Sequence, residues 1–134
     1  MSALALLFSH DPSDHPFVSA FAYPGGLAPL YRAVECELVE VAVRGTIAGL
    51  PVTLLVDEEG LYKQPSYRNR GANDVASEIS GNPVYALQMP LVGHAALVYD
   101  TGEDWRGFTP DEFAKIVAKL RHDGYDIIVS DPAA

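Results

Sequence analysis

His10, Asp11, Asp14 and His15 put two imidazoles and two carboxylates within six residues, a donor set suited to a divalent cation that activates water for hydrolysis. Pro12 and the two aspartates also make an ordinary turn, and no helix or strand fixes the spacing of the four side chains. A metal-dependent hydrolase using this loop is therefore an alternative, and no bound metal is expected. Asp57, Glu58 and Glu59 are a second acid–base possibility, because close carboxylates drive each other's pKa values apart. Adjacent residues at a strand end point in different directions, however, which fits a solvated turn. Cys36, the single cysteine, lies in a strand-like segment, and no serine sits in a glycine-flanked elbow. Phosphate-loop and dinucleotide glycine patterns are absent. With no assembled catalytic constellation, binding is favoured over chemistry and no cofactor is expected.

The strongest candidate for binding is Lys63, Tyr67, Arg68, Asn69, Arg70 and Asn73. Arginine forks, amide side chains and the backbone N–H groups of a following helix together suit an anion such as a nucleotide phosphate. The competing reading is that these bases tie their loop to Asp57, Glu58 and Glu59. Tyr67 and Trp105, in expected loops, are the aromatics placed for partner or base-stacking contacts.

The elements that must carry these residues are bounded by composition. A chain of 134 residues, 49% hydrophobic and 20% charged, is expected to fold as a single domain over residues 1–134. Its net charge of −9 disfavours phosphate backbones and anionic lipid, so direct nucleic-acid binding is not expected. An acidic mimic of nucleic acid is a further alternative, weakened because the acids are scattered in turns. One cysteine suits a reducing compartment, and the apolar run from Ala3 to Phe8 is too short to span a bilayer. A cytoplasmic protein without a membrane anchor is expected.

Periodicity predicts an α+β domain: a mainly antiparallel sheet of about five to six strands, two short helices and one longer C-terminal helix packed on it. Ala3–Ser9 reads as a central strand, and Phe17–Tyr23 as a second strand or irregular chain. Leu27, Leu30, Tyr31 and Val34 mark a helix starting near Ala28. Glu37–Arg44 alternates as a strand, although neither face is cleanly polar, and Val52–Val56 is its antiparallel partner. Leu61-Tyr62 resumes a brief strand. Asn73 is expected to cap a helix of barely two turns ending at Ile79. Val84–Gln88 is a possible short strand and Leu91–Tyr99 a strong one, with Gly93 marking a bulge or close packing. Thr109, Pro110 and Glu112 open the clearest helix, with Phe113, Ile116, Val117 and Leu120 as its buried stripe and Gly124 as its stop. Tyr125–Val129 is a final strand.

Leu30-Tyr31-Arg32-Ala33-Val34, Leu38-Val39-Glu40-Val41, and Leu55-Val56-Asp57-Glu58-Glu59-Gly60-Leu61 come in this order. Pro65, an Asn-x-x-Ala step from Asn73 to Ala76, and Leu91-Val92-Gly93-His94-Ala95-Ala96-Leu97-Val98 follow. Over about residues 27–99 this order resembles a family of small phage and mobile-element proteins known as domain of unknown function 3846. The segment between the Asp-Glu-Glu-Gly turn and the asparagine is longer here than in that family, and Asn69 to Ala72 offers a rival alignment. The resemblance implies a setting and not a reaction. The leading expectation is thus a small, acidic, non-enzymatic binding protein. It would bind a host protein, or sequester a small anionic ligand in counter-defence, with homo-oligomerisation possible in the sequestering case.

Overall fold

The computed structural model describes residues 3–9, 17–36, 38–58, 69–81, 93–125 and 127–128. Strands β1 (Leu4–Ser9), β2 (Phe17–Ala22), β3 (Val39–Ile47), β4 (Leu50–Asp57), β5 (Ala95–Asp100), β6 (Trp105–Arg106) and β7 (Ile127–Ile128) form one sheet. Its order is β3-β4-β5-β1-β2-β7, with β6 pairing β5. Among the described residues, every pairing is antiparallel except β2 with β7. Among the described residues, helices α1 (Ala28–Val34), α2 (Arg70–Ser80) and α3 (Pro110–His122) accompany the sheet in an α+β fold. The leucine-rich β1 is central, as its sequence predicts, because both of its faces are covered. Leu6 and Phe8 pack with α2 and α3, while Ala5 packs with Leu30 and Val34 of α1 on the opposite face.

β3 explains its own untidy alternation. The β3–β4 register shifts between Val41 and Val43, so Ala42 is an extra residue in a bulge. Before the bulge, Val39 packs toward the α1 side. After it, Val43 and Ile47 pack on the α2 and α3 side. Both strands run further than their patterns predict, leaving only Ala48 and Gly49 as the turn. Their φ values of 54° and 78° match the primed two-residue turn that follows strand twist. Gly45 therefore lies within β3 and not in a connection, and a Cβ there would sit 2.3 Å from the Ile79 carbonyl oxygen. Its missing side chain is what lets α2 approach the sheet.

The helix expected from Asn73 starts a turn earlier. Asn69 is the N-cap, with extended backbone and its side chain accepting from the Ala72 N–H at 2.9 Å, and α2 has 11 residues. Asn73 lies inside the helix, and Ala72, Val75, Ala76 and Ile79 are its buried face. β5 begins at Ala95, with Gly93 outside it at φ 76°.

α3 follows its sequence signals closely. Glu112 N–H donates to Thr109 Oγ1 at 3.3 Å, and Thr109 N–H donates to Glu112 Oε1 at 2.9 Å. Arg106 adds a two-pronged contact to Glu112, 2.7 and 3.0 Å, with its guanidinium 3.7 Å above the Tyr99 ring. Arg106 first, outweighing partial burial, holds Glu112 down to about 2. Phe113, Ile116, Val117 and Leu120 are buried, and Gly124 follows the helix at φ 100°. The final strand is limited to Ile127–Ile128 among the described residues. The expected segments Leu61-Tyr62 and Val84–Gln88 lie outside the described residues.

Candidate functional site

Antiparallel pairing gathers five strand ends at one end of the sheet. Ser9 pairs with Phe17, Phe8 and Val56 both face Ala95, and Val39 faces Asp57. The amino end of α2 is fastened to this same end by Asn69. Its side-chain amide donates to the Phe8 carbonyl at 2.7 Å and to the Gly93 carbonyl at 2.8 Å, while its oxygen caps Ala72. One 2%-exposed side chain thus joins the end of β1, the approach to β5 and the first turn of α2. Asn73, equally buried, donates from Nδ2 to the Asn69 carbonyl at 2.6 Å, and its own N–H bonds the same oxygen.

Asn69 and Asn73 therefore position the helix, and both side-chain amides have partners within the protein. Arg70 is the first residue of α2, and the first turn carries no acidic residue. Lys63, Tyr67 and Arg68 lie outside the described residues, as do His10, Asp11, Asp14 and His15. Ser9 and Phe17, which flank the histidine segment in sequence, are nevertheless at the same end as Asn69. So are Asp57, half-buried at the end of β4, and the exposed Glu58, whose N–H bonds the Leu38 carbonyl. Asp57, Glu58 and Asn69, the described residues on either side of the basic segment in sequence, thus share this one end of the sheet.

Sequence periodicity does not single out His94 and Glu35, which the fold brings together here. His94 Nε2 lies 2.5 Å from Glu35 Oε2, with the imidazole largely buried and the carboxylate side chain 71% exposed. Glu35 ends α1 in the left-handed region, φ 58° and ψ 53°, a conformation that favours glycine. A glutamate there costs backbone strain and, in return, ties α1 to the start of β5 through His94. Cys36 follows in a bend rather than a strand, and is half-buried against the α1-side cluster. Trp105 belongs to β6 and is half-buried against that same cluster, rather than standing in a loop.

No protein-family model matches the sequence, and comparison with curated proteins and with solved structures finds no match. The site is accordingly defined by its own geometry. Among the described residues, no group of three or more histidine, cysteine, aspartate or glutamate side chains is arranged to hold a metal ion. No helix among them is long and apolar enough to cross a membrane.

Proposed function

We propose that this chain is a small non-enzymatic binding protein of phage or mobile-element type that holds an anionic, nucleotide-like ligand at the amino end of α2. The supporting observation is the way Asn69 fastens that helix end to β1 and β5. A fixed helix amino terminus presents the positive end of its dipole, and Arg70 opens a first turn without acidic residues. Lys63 and Arg68 precede it in sequence and make this the main basic segment of a chain of net charge −9. The mobile-element setting rests on the resemblance over residues 27–99, and sequestration of such a ligand is a counter-defence role.

Amide NMR titration with inorganic phosphate and with adenosine and guanosine diphosphates tests this. Saturable shifts at residues 70–73, lost in the Arg68→Glu, Arg70→Glu double variant with the fold retained, are expected. Absence of shifts at millimolar probe, or identical shifts in the variant, refutes it.

Binding of a host protein is the second reading, favoured by the exposed apolar side chains of Leu38 and Val41 beside and on the edge strand β3. A host complex that survives the Leu38→Asp, Val41→Asp double variant counts against this surface.

A further inference from the structure

β3 is the outermost strand of the sheet, and among the described residues no strand lies on its far side. Nine residues long and without proline, it keeps a donor and an acceptor at every position, so its outer side carries main-chain groups able to pair a further strand. The bulge at Ala42 divides this edge into unlike halves. Beyond it α2 closes over Gly45, where a Cβ would meet the Ile79 carbonyl, and Arg44 Nε stands 3.7 Å from Asp100 Oδ2. Before it, Leu38 is 49% and Val41 37% exposed, so two of the three large apolar side chains exposed among the described residues stand close together here. Val41 pairs with Leu55 and shares its α1 side, while the exposed Glu40 pairs with Val56 and shares the α2 side. Glu58, also exposed, is bound to the same stretch through its N–H and the Leu38 carbonyl. Residues 38–43 and 55–58 contain Glu40, Asp57 and Glu58 and no base.

We propose that residues 38–41 are a docking edge for an extended segment of a partner protein, which adds to the sheet as a further strand and alternates apolar with basic side chains. This rests on the host-protein reading and deepens it by naming what the host presents. Strand alternation sets the pattern. Residues of the added strand beside Val39 and Val41 lie on their side of the sheet and extend an apolar surface. The residue between them lies beside Glu40 on the other side, where lysine or arginine is favoured and a carboxylate repelled. Main-chain hydrogen bonds supply affinity, and the alternating side chains supply specificity. The same chemistry argues against a second copy of this chain as the occupant. Antiparallel pairing of residues 39–41 with themselves sets Glu40 directly opposite Glu40, and each copy brings a net charge of −9.

Amide NMR of the whole protein at low salt tests this with acetylated, amidated peptides of alternating valine and lysine, of alternating valine and glutamate, and of valine and lysine N-methylated along the backbone. The valine–lysine peptide should give saturable shifts at residues 38–41 and bind about tenfold more tightly than the valine–glutamate one. That preference should fall severalfold in Glu40→Lys, a change at an exposed position. The N-methylated peptide should lose binding although its charges are intact, because it cannot donate to the edge. Absence of shifts at millimolar peptide, equal binding of the N-methylated peptide, or an unchanged preference in Glu40→Lys overturns strand addition. If the peptides fail while the Leu38→Asp, Val41→Asp variant still loses a host complex, strand addition is overturned and the host-protein reading stands. A host complex that the variant retains overturns both.

Discussion

Asn69→Ala is the sharpest perturbation of the site's framework. It deletes the acceptor for the Ala72 N–H and two donors, those to the Phe8 and Gly93 carbonyls. Loss of an N-cap costs about 1 kcal/mol, and each buried carbonyl deprived of its donor about 1 kcal/mol more, so the total is about 3 kcal/mol. That is a large share of the stability expected of a domain this size. Asn69→Asp separates the two contributions. Its carboxylate still accepts from Ala72, but it offers the two carbonyls a negative oxygen where an N–H stood. The aspartate variant should be at least as destabilised as the alanine variant, despite the retained cap. Asn73→Ala is the internal control: the bond from its side chain to the Asn69 carbonyl stays within the first turn of α2, and losing such a bond costs about 1 kcal/mol. Denaturant unfolding followed by Trp105 fluorescence and far-ultraviolet circular dichroism measures all three at constant m-value. An Asn69→Ala cost below that of Asn73→Ala, or an Asn69→Asp variant as stable as wild type, would refute the view that this side chain fastens α2 to the sheet.

Two backbone predictions accompany it. Gly45→Ala places a Cβ 2.3 Å from the Ile79 carbonyl and 2.7 Å from its Cγ2, so α2 must shift, and unfolding should show a loss of about 2 kcal/mol. Ala48→Asn should do the opposite, gaining about 0.5–1 kcal/mol in the same assay, because asparagine tolerates the φ of 54° that alanine holds under strain.

Local chemistry made much of the fold legible. The capping box at Thr109 and Glu112, the i, i+3, i+4, i+7 stripe that follows, and Gly124 require only neighbouring residues, and α3 forms where they place it. β1 was readable as a central strand because continuous apolar sequence is consistent with cover on both faces. β3 was readable as a strand but not as a bulged one. Its alternation fails because Ala42 shifts the phase, and only the register against β4 reveals which side each valine takes.

The start of α2 marks the limit of local reading. Asn69 and Asn73 are the same residue type, four positions apart, and the stripe of Ala72, Val75, Ala76 and Ile79 suits a helix from either. The choice was made by acceptors distant in sequence, the Phe8 and Gly93 carbonyls, which exist side by side only once β1 and β5 have paired. The pairing of Glu35 with His94, and of Glu78 with Lys119, has the same character. Composition and spacing identified the basic segment from Lys63 to Asn73 as chemically unusual. Tertiary structure decided that its two asparagines serve the framework, because a buried amide must satisfy its polar atoms wherever the fold supplies partners.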